Sequence, residues 1–240
     1  MSEAAPIAAA RRAGRTVLTE AESKTLLSEV GIETPTFAVA SDSAAAVEAA
    51  ADLGYPVVVK VSAPAVTHKS EWADGAGVAI GLDSPEAVEA AADRIFAAAS
   101  AAGVDVDVLV EEARDVDRGT EVIVGGLRDP SFGPVVLAGL GGVFTEVYED
   151  TTHRIAPVDR REARSALEEL RATRLLTGYR GREAADLDAL AAVVERVGDL
   201  VVEYDAVREV DINPVLATGG GAVALDALVV LTDDEDEDGA

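Results

Sequence analysis

Residues 57–78 read VVVKVSAPAVTHKSEWADGAGV, and the rest of the chain is read outward from them. A valine run closes on Lys60, and the spacing predicts a strand over Val57–Val61 that delivers a cation, which suits an anion such as a phosphate. A lysine just past a strand also serves as an ordinary surface residue, and position alone leaves both readings open. The loop that follows carries His68, Lys69 and Ser70. Gly75 and Gly77 then lead into a second strand, Gly77–Leu82. Only His68 and His153 are histidines. An imidazole on such a loop can act as a base, a metal ligand or a phosphoryl acceptor, or simply sit in solvent.

Before this stretch, residues 1–18 read as a loose arm. A helix over Thr19–Val30 stops at Gly31, and a strand follows at Thr36–Ala40. A second helix, Ala44–Leu53, has cap residues at Ser41–Ser43 and ends at Gly54. After it, Ser84-Pro85 is a cap followed by a proline at the first helical position, which predicts a helix to about Ala102. Val104–Val110 reads as a strand entering a core. AVEAAAD occurs at Ala46–Asp52 and again at Ala87–Asp93; shared alanine-rich helix composition accounts for it better than a duplicated module.

Farther on, strands are expected at Glu121–Val124, Pro134–Leu137 and Val143–Tyr148. Helices are expected at Arg160–Leu176 and Ala184–Val202. A hairpin of Val207–Ile212 and Ala222–Leu231 turns at Gly219–Gly221. The run Asp233–Asp238 reads as a disordered acidic tail. Strands interleaved with helices give an α/β (α+β) class with two lobes, 19–110 and 111–232.

Composition narrows the partners. Forty-five acidic residues stand against 20 basic ones, and the net charge of −25 argues against nucleic acid. Only Lys24, Lys60 and Lys69 are lysine. An acidic, lysine-poor surface is what high internal salt selects, because salt screens the repulsion among carboxylates. No apolar run is long enough for a membrane span. The first residues do not read as a secretory signal, which suggests a cytoplasmic protein. There is no cysteine, so neither a disulfide nor a thiolate nucleophile is available.

Three further groups carry chemistry. Gly139-Leu140-Gly141-Gly142 can turn backbone N–H groups to an anion or make a plain tight turn. In Glu209-Val210-Asp211-Ile212-Asn213-Pro214, alternation puts Glu209, Asp211 and Asn213 on one strand face. Asp226 returns on the next strand, and such oxygens suit Mg²⁺ bound to nucleotide phosphates. An exposed acidic edge is the other reading. Arg154, beside His153, can neutralise a phosphate.

Together GYPVVVKVSAPAVTHKS (54–70), EEA (111–113), GTEVIVGGLRDPSFGPVVLAGLGGVFTEVYED (119–150), HRIAP (153–157) and EVDINPV (209–215) resemble the β subunit of ADP-forming acetyl-CoA synthetase. That is an ATP-grasp protein related to the β subunit of succinyl-CoA synthetase. The resemblance covers Leu18–Leu231 and implies an ATP-grasp fold with nucleotide held between two lobes. It implies an enzyme that makes ATP from ADP and phosphate as acyl-CoA is cleaved, working with a CoA-binding α subunit in an α2β2 assembly. His68 then matches the histidine that relays the phosphoryl group, and Asp211 the acid that steadies it. Lys60 matches the lysine at the nucleotide phosphates, and Arg154 a phosphate-contacting arginine. Glu111 and Glu112 fall at the linker holding adenine and ribose, while Lys24 and Glu121 complete the nucleotide-binding set. Asn213 and Asp226 match the Mg²⁺ ligands. A relay histidine that serves a donor on the partner and an acceptor on this chain implies a swinging segment, about Ser62–Gly77. Two features depart from the family's pattern. The loop continues as HKSEWADGAGV rather than HKSD with paired glycines, and Ala113 stands where methionine is usual. Two other readings use the same residues: a carboxylate ligase without a phosphohistidine, and a regulatory nucleotide-binding lobe.

Overall fold

The computed structural model of the chain describes residues 4–66, 69, 71–142, 150–181 and 183–233. In chain order the elements are α1 (Ala5–Arg12), α2 (Glu20–Glu29), β1 (Phe37–Ala40), α3 (Ser43–Leu53), β2 (Val57–Ser62), β3 (Val78–Leu82), α4 (Pro85–Ala102), β4 (Asp107–Glu112), β5 (Thr120–Asp129), β6 (Gly133–Leu140), β7 (Thr151–Ile155), α5 (Arg160–Glu168), α6 (Leu187–Glu203), β8 (Val207–Thr218), β9 (Gly221–Ala224) and β10 (Ala227–Leu231). They form two compact units. The smaller holds residues 19–21 and 35–114; the larger holds the residues up to 18, 22–34, and those from 115 on.

In the smaller unit four antiparallel strands lie in the order β1-β4-β2-β3. Both helices start as their sequences predict. The Asp42 carboxylate accepts the Ala45 N–H at 2.8 Å, and Ser84 Oγ accepts the Ala87 N–H at 3.3 Å, which satisfies N–H groups the first turn leaves over. Gly103 ends α4 in the left-handed conformation, φ +67°. Val57, Val59, Val61, Val108 and Val110 pack against Ala46, Ala50, Val88, Ala92 and Ile95 of the two helices. Because side chains alternate along a strand, this places Lys60 on the sheet's other face. In the register Lys60 stands opposite Leu109 and Val58 opposite Glu111, so Lys60 and Glu111 are diagonal neighbours on that face.

The larger unit has a six-stranded sheet in the order β10-β8-β5-β6-β7, with β9 folded back on β8. Helix α6 buries Val193, Val194, Val197 and Val201 against it. It lies so close to β5 that a Cβ at Gly126 would come within 2.7 Å of Val201 Cγ2.

Several expectations change. Residues 4–18 are not a loose arm. Ala5–Arg12 is helical, Ile7 and Ala10 are fully buried, and the Leu18 N–H donates to the Val229 carbonyl at 3.0 Å. The small alanine side chains let this helix press onto the sheet, and its alanine-rich composition hid that amphipathic face. The helix expected to reach Leu176 ends at Glu168, because the buried Asp150 carboxylate takes the N–H groups of Arg171 and Ala172 at 2.8 and 2.9 Å. Gly139 and Leu140 continue β6 instead of forming a turn. A Cβ at Gly141 would lie 2.9 Å from that of Glu121, so this glycine serves a close approach of two backbone segments. The returning half of the expected hairpin is divided into β9 and β10. The boundary near residue 110 falls instead after Arg114, and residues 22–34 belong with the larger unit. Residues 143–148 and the acidic tail from 234 on lie outside the described residues.

Candidate functional site

A set of paired charges is buried in the smaller unit. Lys60 Nζ lies 2.8 Å from Glu20 Oε1 and 2.8 Å from Glu111 Oε1, while Lys69 Nζ lies 3.1 Å from Glu20 Oε2. The four residues are between 3% and 9% exposed. Two ammoniums and two carboxylates balance, and without that balance ionised groups could not be held away from water. Buried ion pairs seldom add stability over apolar packing. This set instead keeps a charged ammonium fixed at one place on the sheet. The surface reading of Lys60 therefore fails. All three lysines of the chain are buried, Lys24 at 0% exposure.

Glu20 is the residue that sequence reasoning missed. It opens α2 among other acids, and nothing in local spacing distinguishes it from Glu22. The one available signal is the scarcity of lysine: with so few, each has a specific place, and a buried lysine calls for a carboxylate. Glu111 was expected on the linker and lies inside β4, paired with Lys60. Glu112 ends the same strand and accepts from the Thr36 N–H and from Arg114 Nη2, each at 3.3 Å. His68 lies outside the described residues, while Lys69 beside it is described and anchored. Of residues 62–77, Ala63 and Val66 are buried in the small core, Trp72 packs against it, and a Cβ at Gly77 would collide with the Lys69 carbonyl. Gly77 thus permits a close approach, whereas Gly75 takes φ +87°.

In the larger unit β8 and β10 bring the acids together. Leu228 stands opposite Asp211, and the Asn213 N–H donates to the Asp226 carbonyl at 3.3 Å, so Asn213 and Asp226 are side by side. Burial pushes the Asp211 carboxyl above its usual range, and the charges of Glu209 and Asp226 push it further. Such crowded negative charge suits a cation. Among the described residues no three acidic or histidine side chains converge as a metal cage. A cation here would take only one or two protein oxygens, as Mg²⁺ does when phosphates supply the rest.

Two measurements check this group. Asp211 is protonated in both the folded and unfolded chain below the ordinary carboxylate pKa of about 3.9, and its ionisation costs stability as pH rises through the raised folded value. Asp211→Asn should therefore raise the melting temperature at pH 7, with the gain vanishing on acidification below about pH 4. A gain that persists in acid would contradict the assignment. Asn213→Ala and Asp226→Ala should each weaken calorimetric Mg-ADP affinity more than about tenfold, a loss that even outer-shell metal partners reach. Unchanged affinity in both would remove them as ligands.

Arg154 lies on β7, and its Nη2 meets Glu169 Oε1 at 2.7 Å, which holds the Glu169 carboxyl below its usual range. His153 is exposed on the same strand, and Glu121 is exposed on β5. The smaller unit thus assembles Glu20, Lys60, Lys69 and Glu111, and the larger assembles Glu209, Asp211, Asn213 and Asp226. Arg154 and Glu121 stand in neither set.

With two antiparallel sheets, one carrying buried Lys60 and the other Asn213 beside Asp226, residues 9–231 match the ATP-grasp domain family. The β subunit of ADP-forming acetate–CoA ligase I from Pyrococcus furiosus is 39% identical over 215 residues, 89% of this chain and 91% of that one. The chain belongs to this family of ADP-forming acetate–CoA ligase β subunits. Two solved structures of acetyl-coenzyme A synthetase 1 from Ca. Korarchaeum cryptofilum are also similar, each covering 94% of this chain and 98% of that one. One, at 35% identity and TM-score 0.85, holds coenzyme A, acetyl-coenzyme A and a phosphorylated phosphohistidine segment in a site I orientation. The other, at 37% and 0.81, holds coenzyme A and Mg-AMPPCP, with that segment pointing towards the nucleotide binding site.

Proposed function

We propose that the chain is the nucleotide-binding β subunit of an ADP-forming acyl-CoA synthetase, working through a phosphohistidine at His68. The observation that carries this reading is the buried lysine cluster. Lys60, the residue assigned to the phosphates, is held fixed and charged one carboxylate away from Lys69, the residue bonded to His68. Phosphoryl transfer asks for positioning and charge neutralisation, and a fixed ammonium supplies both. A neutral imidazole nitrogen forms a bond to phosphorus as the P–O bond to the donor breaks, and the terminal oxygen of ADP then takes the phosphoryl group as that P–N bond breaks, splitting one transfer into two. Asn213 and Asp226 would hold Mg²⁺, which offsets nucleotide charge when bound. Asp211 sits beside them to steady the phosphorylated ring.

The two orientations of the segment in the Korarchaeum protein support a moving relay over a direct acyl-phosphate route. The partner is a CoA-binding α subunit, in two copies of each chain. Mixed with that subunit, acetyl-CoA, ADP, phosphate and Mg²⁺, the chain should form ATP. Either chain alone should form none. ATP formation without the α subunit would overturn the proposal.

No helix among the described residues is long and apolar enough to cross a membrane, and we place the enzyme in the cytoplasm. The charge of −25 supports adaptation to high salt. Dialysis into dilute buffer should lower the melting temperature sharply, since repulsion among carboxylates then reaches to roughly 30 Å instead of 3 Å. The same midpoint in dilute buffer and in concentrated KCl would contradict it.

A further inference from the structure

The register of the larger sheet draws one row across four of its strands. Asp211 on β8 stands opposite Gly125 on β5, Gly125 opposite Leu137 on β6, and Leu137 opposite His153 on β7. Residues directly opposite share a face. His153 therefore lies on the face that carries Asp211 and, two residues along β8, Asn213. The other face belongs to α6. Gly126, where a Cβ would meet Val201 and Val197, stands opposite Val136, and Val136 opposite Arg154.

The polar side chains of β7 divide by face. On the α6 side they are engaged: Thr152 Oγ1 donates to the Ala138 carbonyl at 3.4 Å, and Arg154 Nη2 donates to Glu169 Oε1 at 2.7 Å. On the other side Thr151 is half-buried and His153 exposed, and neither side chain hydrogen-bonds to another of the described residues. The floor between these two and the acids of β8 is low. A Cβ at Gly125 would come within 3.1 Å of Leu137 Cδ2, and one at Gly139 within 2.8 Å of Thr151 Cγ2. Each of these side chains leans over the glycine of the next strand, towards β8, and Leu137 thereby leaves the space beside His153.

We propose that Thr151 and His153 are the donors that receive the terminal phosphate of a bound nucleoside triphosphate, across this floor from the Mg²⁺ that Asn213 and Asp226 would hold, a role that rests on the Mg-nucleotide reading of β8 and β10. Three inter-strand steps of about 4.8 Å put β7 about 14 Å from β8. A cation with oxygens at about 2.1 Å and a phosphate group fill such a gap. The imidazole N–H and the hydroxyl donate to phosphate oxygens, the charge-assisted kind of hydrogen bond, and no bond to phosphorus forms at His153. A diphosphate on the same cation ends short of both donors.

Calorimetric titration of the full chain with Mg-AMPPCP and with Mg-ADP tests this. His153→Ala should weaken Mg-AMPPCP binding about tenfold or more, the scale of a hydrogen bond to a charged group, and Mg-ADP binding by less than about twofold. His153→Gln keeps an N–H donor and should recover part of the loss. Equal losses with the two nucleotides, as a merely structural histidine would give, would overturn the assignment. So would full Mg-AMPPCP affinity in His153→Ala. If that variant does not fold, Thr151→Val removes the other donor and carries the same comparison. Inorganic phosphate, added with Mg-ADP, is the third titrant. Phosphate binding that His153→Ala removes while Mg-AMPPCP affinity holds would give the donors to free phosphate and overturn the terminal-phosphate role. A wild-type chain that binds neither nucleotide would end the Mg-nucleotide reading and this role with it, whereas wild-type binding without a selective loss ends this role alone.

Discussion

Replacing His68 with asparagine is expected to abolish the acid-labile, base-stable phosphate that Mg-ATP leaves on the chain. ATP formation with the α subunit should fall by more than about 10³-fold, the scale seen when a group that acts covalently is removed. Asparagine keeps a polar side chain of similar reach but has no ring nitrogen to accept a phosphoryl group. Mg-ADP binding should survive, because Lys60, Asn213 and Asp226, the residues proposed to hold it, are untouched. His153 serves as the internal control. It is the only other histidine and is exposed on β7, so residual label there would report chance phosphorylation. The ligase that passes an acyl phosphate directly to its acceptor has no need of His68. ATP formation by His68→Asn at a rate near that of the wild-type chain would establish that route and exclude the relay.

Much of the fold was legible in the sequence because the smaller unit is built from local signals. Ser84-Pro85 starts a helix and Gly103 stops it, and the alternation of Val57, Val59 and Val61 points one strand face into the core. What escaped depended on contacts distant in sequence. The first helix was hidden because its buried face is small, Ile7 and Ala10 among alanines, and a helical stripe so weak reads as a tail. The end of α5 is set by Asp150, whose carboxylate reaches backbone groups more than twenty residues away. The site divides in the same way. Glu209, Asp211 and Asn213 share a strand face by period alone. The partnership of Lys60 with Glu20 links residues forty apart, in a chain with so many acids that no pattern selects one. Glu111 was misplaced because EEA resembles a linker, yet its first residue lies inside β4 and pairs with Lys60.

That partnership carries the second large effect. Lys60→Ala should destabilise the smaller unit by about 3–5 kcal/mol, the cost of breaking a buried ion pair and leaving charge uncompensated. Glu20 and Glu111, 4% and 3% exposed, would then lose the ammonium that both of them contact. For a chain of this length, that loss lowers the melting midpoint by about 10 °C. A second change locates the cause. Adding Glu111→Gln to Lys60→Ala restores neutrality, since Glu20 keeps Lys69, and should recover much of the lost stability without recovering nucleotide binding. Lys60→Arg preserves charge, but a planar guanidinium cannot take the place of a compact ammonium at 2.8 Å from both Glu20 Oε1 and Glu111 Oε1. It should fall between the wild-type chain and Lys60→Ala in stability. Thermal melts of the three variants, with Mg-ADP titrations beside them, separate the two roles of Lys60. A midpoint for Lys60→Ala within about 2 °C of the wild-type value, under 1 kcal/mol for a chain of this size, would mean that the buried charges are not coupled as their distances imply.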